Sequence, residues 1–163
     1  MMSEAIRKAE VIDKIQQMLT ANHRVALESV RSAIDAATNE QTVPEHKYDT
    51  LALEASYLAH GQAKRLQECE QDIQAFNSLS DVRNPTKVMV GCLIRLLDES
   101  GIGRWVFFAP SAGGMKIRFG DDEVTLVTIQ SPLGAVLKGK NVGDEVIYDV
   151  EGRQYCYEIG QID

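Results

Sequence analysis

The sequence predicts an α+β chain in two parts. A long antiparallel α-helical coiled-coil hairpin is expected at 1–80 and a small antiparallel sheet with one short helix at 81–163. Three observations carry this. Gly61 and Pro44 are the only glycine and proline before Ser80, whereas eleven glycines and three prolines follow it. Apolar residues in the first part recur at helical spacing. In the second part short apolar runs are separated by glycine and Asp/Asn turns.

The first helix is expected from Ser3 to about Ala37, with Ile6, Val11, Ile15, Met18, Val25, Val30 and Ile34 on its apolar stripe. Thr38–Pro44 interrupts it. Thr42-Val43-Pro44-Glu45 then supplies a cap, a proline in the first turn and a glutamate three residues on, the parts of a helix start. In the second helix Leu51, Ala55, Leu58, Gln62, Arg65, Cys69, Ile73 and Phe76 are spaced near 3.5 residues, the period of a coiled-coil seam. Two helices joined by a short break run antiparallel. At 1.5 Å per residue a helix of this length reaches roughly 50 Å, so the hairpin reads as a projection with its tip at about 38–48. Gln62 and Arg65 put polar groups in the seam, which favours an intramolecular hairpin and a monomer over a dimerisation module.

After a linker at Ser78–Pro85, strands are expected at Lys87–Leu97, Arg104–Ala109, Met115–Phe119, Glu123–Ile129, Glu145–Val150 and Arg153–Ile159. Ser131 is placed to cap a short helix that has Pro132 at its first position and runs to about Leu137. Glu151-Gly152 is the last hairpin turn.

The 163 residues are 44% hydrophobic, enough for a packed core, and the net charge is −7. That charge, without a Lys/Arg block, argues against direct nucleic-acid binding and for a protein partner. No segment approaches the roughly 20 apolar residues that cross a bilayer, and the N-terminus lacks a signal-peptide core. Cys69, Cys92 and Cys156 are widely spaced without CxxC, which suits reduced thiols and a cytoplasmic location.

Gly134-Ala-Val-Leu-Lys-Gly139-Lys140 has the spacing of a phosphate loop. Asn141 stands where magnesium needs a Ser or Thr, and Ala135-Val136-Leu137 reads as a helix face, so no nucleotide site is expected. His23, His46 and His60 lack metal-ligand spacing. Ser131 has no histidine in its own half to act as base, which leaves the cap as its role. At or just below the tip, Glu40, Glu45, Asp49 and Glu54 have two readings. They are solvated face charges, or carboxylates carried on an arm to a hard cation such as Mg²⁺ in another protein. Glu45 and Asp49 are four apart and share a helix face; Asp49 and Glu54, five apart, align poorly.

Ser131-Pro132-Leu133-Gly134, with Leu137-x-Gly139-Lys140-x-Val142-Gly143-Asp144-Glu145-Val146, resembles the C-terminal domain of the bacterial Gre transcript-cleavage factors, a fold related to FKBP-type prolyl isomerases. Glu54–Gln62 with Arg65-Leu66-Gln67-Glu68 is similar to the second helix of the Gre hairpin. The resemblance implies a regulator of transcription elongation that binds bacterial RNA polymerase, meets nucleic acid only through it and is not itself an enzyme. Gre factors pass the hairpin through the secondary channel, where two acidic tip residues help hold a second Mg²⁺ at the polymerase active centre and so activate hydrolysis of backtracked RNA. Carried over to this chain, the tip candidates are Glu45, Asp49 and Glu54. The docking residues are Gln130, Ser131 and Pro132, and no tightly bound cofactor is implied beyond that shared Mg²⁺. The family tip reads Asp-x-x-Glu-Asn-x-Glu-Tyr. Here, counting back from Tyr57, the Asp is displaced by one residue to Asp49 and the first Glu is replaced by a leucine or alanine. Two further readings stand beside cleavage activation: a non-cleaving Gre homologue that inhibits or modulates transcription, and an FKBP-like isomerase or chaperone.

Overall fold

The computed structural model describes the backbone of residues 7–38 and 50–163 and the side chains of 7–36 and 56–163. Along the chain it forms helices α1 (Lys8–Thr38) and α2 (Thr50–Asn77) and strands β1 (Leu93–Leu97), β2 (Gly103–Phe108), β3 (Lys116–Phe119) and β4 (Asp122–Val127). Helix α3 (Pro132–Leu137) and strands β5 (Glu145–Val150) and β6 (Arg153–Ile162) complete it. Two compact units result. One is Gln16–Gln74; the other is the chain up to Ile15 together with Ala75–Asp163.

In the first unit, α1 and α2 form an antiparallel pair, and His23 Nε2 meets Glu70 Oε1 across it at 3.4 Å. Val11, Ile15, Val30, Cys69 and Phe76 of the expected stripes are buried, and the departures lie at other positions. Val25, Ile34 and Leu58 are exposed, as is Arg65, while Ala26, Val30, Ala33 and Cys69 are buried and Ala59, Gln62 and Leu66 half-buried. A count of large apolar residues misses this, because alanine fills a seam where two helices come close. Gln62 keeps its expected place.

The second unit is built on a six-stranded sheet of order β3-β4-β2-β1-β6-β5. Four of its five pairings are antiparallel, as expected; β2 and β4 pair in parallel, with Trp105 opposite Val124 and Phe108 opposite Val127. The expectation of a wholly antiparallel sheet is corrected there. The chain leaves β2, skips one place to form β3, and β4 returns into the gap. Composition explains the choice. Val124, Leu126 and Val127 of β4 are all buried, which suits an interior strand. In β3, Lys116 and Arg118 are exposed, and charged residues blunt an edge.

A second correction concerns the strand expected at Lys87–Leu97. Only Leu93–Leu97 is strand; Lys87 makes an isolated bridge with Asn141, and a turn through Gly91 (φ 103°) intervenes. One face of the sheet packs Ile94, Leu96, Val106, Phe108 and Ile159 against Leu133 and Leu137 of α3. Phe76, at the end of α2, stacks on Phe107 with ring centroids 6.4 Å apart. Lys14 of α1 donates to the Arg118 carbonyl at 3.0 Å and lies over the Phe119 ring. The first turns of α1 and the last of α2 therefore belong to the sheet unit.

Candidate functional site

The chain between β4 and β5 holds the edge expected at Gln130–Pro132. At its start Ser131 is the N-cap of α3, in extended conformation (φ −78°, ψ 154°), with Pro132 in the first turn. Its Oγ accepts from the Gly134 N–H at 3.0 Å and donates to the Thr128 carbonyl at 2.8 Å. The Ser131 N–H donates to the same carbonyl at 3.1 Å. The hydroxyl is thus engaged on both sides and half-buried. Its work is to fix the exit from Thr128 into the helix, the cap role expected of it. Gln130 and Pro132 on either side are exposed, and Ile129 is 42% exposed. This edge exposes one amide, one proline ring and one aliphatic side chain on a pinned backbone.

The phosphate-loop spacing is explained by the same geometry. Gly134 sits inside α3, where its N–H is taken by Ser131. The N–H groups of Ala135, Lys138, Gly139 and Lys140 donate to the carbonyls of Ser131, Gly134, Val88 and Leu137. Donors already bonded within the chain form no cradle for an anion. Gly139 is there because the chain turns left-handed (φ 79°) on leaving the helix.

Gln130, Ser131 and Pro132 are therefore brought together as one edge. Glu40, Glu45 and Asp49, and the expected helix start at Thr42–Glu45, lie outside the described residues. Glu54 belongs to α2, but its side chain lies outside the described ones. Among the described residues no group of three or more His, Cys, Asp or Glu is placed to hold a metal. No described helix is long and apolar enough to cross a membrane.

A feature that sequence reasoning missed is a tyrosine cluster on β5 and β6. Tyr148 stacks on Tyr155 at 5.3 Å and on Tyr157 at 6.2 Å. Burial raises the Tyr148 pKa, its neighbour Tyr157 adds to the rise, and Arg104 opposes it. The signal lay in the alternation of Tyr155 and Tyr157, which puts both on one face of a strand.

No family model matches the chain, and neither does any curated protein. Among solved structures it is similar to the GreA factor homologue Gfh1 of Thermus thermophilus, at 17% identity and TM-score 0.36 over 91% of this chain and 94% of that one. It is similar to Gfh1 of Thermus aquaticus at 16% identity and TM-score 0.37, covering 90% of this chain and 92% of that one. A third likeness is to a prokaryotic transcription elongation factor GreA/GreB from Nitrosomonas europaea, at 18% identity and TM-score 0.37, over 61% of this chain and 90% of that one.

Proposed function

We propose that this chain is a Gre-like regulator of RNA polymerase. In this reading its sheet unit docks through Gln130, Ser131 and Pro132, and its helix pair enters the secondary channel. The observation that carries the reading is the α3 edge. The residues of the Gre-like motif form a capped helix start that holds Gln130 and Pro132 outward. The same chain carries an antiparallel pair of helices of 31 and 28 residues, each more than about 40 Å long at 1.5 Å per residue. A hairpin of that length suits a narrow channel. The net charge of −7 suits a protein partner better than bare nucleic acid.

The chemistry in this reading is the polymerase's own. The chain contributes no tightly bound cofactor, acts as a monomer in the cytoplasm, and supplies carboxylates among Glu45, Asp49 and Glu54 to the Mg²⁺ at the polymerase active centre. A second mode is favoured by one observation, the displaced tip. A shift of one residue turns a helical side chain by about 100°, so Asp49 would not stand where the family aspartate does. A tip altered in this way suits a homologue that occludes the channel without stimulating cleavage.

Native mass spectrometry of the full chain with core polymerase tests the reading. A one-to-one complex is expected, and no complex at micromolar concentration would reject it. An RNA cleavage assay on stalled complexes, with wild type and Asp49→Ala, separates the two modes. A protease-coupled proline peptide assay addresses the isomerase class, where no rate above background is expected.

A further inference from the structure

We propose that two paired turns, 87–90 and 138–142, form a docking face for an acidic protein segment with apolar side chains. The proposal rests on the reading above only in taking that segment to be part of the polymerase.

The two turns are tied to each other and to the core. Lys87 bridges to Asn141, the Val88 N–H donates to the Lys140 carbonyl at 2.8 Å, and the Gly139 N–H donates to the Val88 carbonyl at 2.9 Å. Between them, Val88 is 2% and Leu137 0% exposed, so each turn is anchored by a core residue beside it. A backbone held in this way presents its side chains with little ordering left to do on binding.

What it presents is unusual for this chain. Lys87, Lys138 and Lys140 are all exposed, and none forms an ion pair with a carboxylate among the described residues. Beside them Met89, Val90 and Val142 are 45%, 38% and 57% exposed. Three cations without an ion pair among the described residues outnumber the one carboxylate held at these turns, Asp144, whose Oδ2 accepts from the Asn141 N–H at 2.8 Å, so the face is net positive in a chain of net charge −7. Charge of one sign around apolar side chains selects a partner carrying the opposite sign around its own apolar groups. Carboxylates flanking leucine- or valine-like residues meet both demands. A nucleic-acid strand meets only the first. None of the six side chains is an aromatic platform for base stacking, and the charge of the whole chain opposes a phosphate backbone. The face lies at the C-terminal end of α3, whose N-terminal end is the Gln130–Pro132 edge, so the two would extend one contact along a single short helix.

The test measures binding of the full-length protein to core RNA polymerase by biolayer interferometry at low and moderate salt. The wild type, the triple variant K87E/K138E/K140E, the double variant M89S/V142S and the control K116E on β3 are compared, each checked for folding by its thermal melt. The triple reversal is expected to weaken binding roughly tenfold or more and to flatten its salt dependence. The double variant should weaken it several-fold, and the control should leave it unchanged. Unchanged binding by a folded triple variant would overturn the face and leave the polymerase reading standing. If wild type does not bind polymerase, that reading fails, and a synthetic peptide rich in Glu and Leu becomes the probe. Binding of that peptide, lost in the triple variant, supports the face; no binding overturns it. Single-stranded RNA that binds wild type but not the triple variant would reassign the face to nucleic acid and overturn the proposal.

Discussion

Gly134 lies so close to Thr128 that a Cβ on it would stand 1.8 Å from the Thr128 carbonyl oxygen. That contact lets α3 begin directly behind β4, because the carbonyl also receives the Ser131 hydroxyl and N–H. The neighbour is backbone and cannot rotate away. Gly134→Ala should therefore destabilise by about 3 kcal/mol, the upper end of the overpacking range. Gly139 is the internal control. Its Cβ would meet nothing within 4 Å, but its φ of 79° is left-handed. Gly139→Ala should cost only about 1 kcal/mol. Urea unfolding of both variants checks the order, and equal losses would contradict it.

The Ser131 hydroxyl has two bonds that different substitutions separate. Ser131→Ala loses both and should cost about 1 kcal/mol, the usual worth of an N-cap. Ser131→Thr keeps donor and acceptor and should be nearly neutral. Ser131→Asp keeps an acceptor for the Gly134 N–H but puts a carboxylate oxygen where the hydroxyl donated to the Thr128 carbonyl. It should fall below Ser131→Thr despite being a good cap in isolation. A denaturation series with unchanged m-values checks the order Thr, Asp, Ala or Thr, Ala, Asp. Thr falling below Ala would reject the account.

Local chemistry was legible in the sequence, and long-range pairing was not. Ser131-Pro132 marked the start of α3 because a cap and an N1 proline act on residues within one turn. Glu151-Gly152 marked the β5–β6 turn because both residues take positive φ, 51° and 79°, as a two-residue hairpin loop requires. The insertion of β4 beside β2 depends on a strand some twenty residues away, and no local signal states which neighbour it will take. The α1–α2 seam shows a subtler failure. Its period was readable and Val11, Ile15 and Val30 lie on it as expected, but Val25 and Ile34 were placed there too, whereas the adjoining Ala26 and Ala33 are the buried ones. At the site, the Gln130–Pro132 edge followed from local motif and cap. Tyr148 joined Tyr155 and Tyr157 only through the register of β5 on β6.

That register also sets two carboxylates opposite each other, Glu145 on β5 and Glu158 on β6, both exposed. Directly opposed like charges oppose strand pairing, and opposite charges support it, each by roughly 0.2–1 kcal/mol. Glu158→Lys should therefore stabilise the sheet unit by about 0.5 kcal/mol at low salt, with the gain shrinking as salt screens the pair. Thermal melts at low and high salt check this. A loss of stability, or a gain that grows with salt, would show that the pair does not set the strength of this edge.

Stability should fall at alkaline pH, and Cys92 should lead the fall. Its side chain is fully buried, and that burial raises its pKa above the ordinary 9.0; the nearby Asp163 charge adds to the rise, while a backbone hydrogen bond at Met89 and the Lys8 charge oppose it. The folded state thus holds the thiol proton to higher pH than the unfolded state does. Where the unfolded chain has lost that proton and the folded one has not, stability declines as pH rises. The contribution is intact below 9.0 and is lost as pH climbs through the raised folded value. Tyr148, raised above its ordinary 10.0 chiefly by burial, adds a loss of the same sign at higher pH. Melting temperature should hold between pH 7 and 8.5, drop above about 9, and drop less steeply in Cys92→Ala. In the folded protein a thiol reagent at pH 8 should label the half-exposed Cys156 first and reach Cys92 only on unfolding, since the thiolate is the reacting species. Equal labelling rates for the two, or a melting temperature flat to pH 10.5, would refute the assignment.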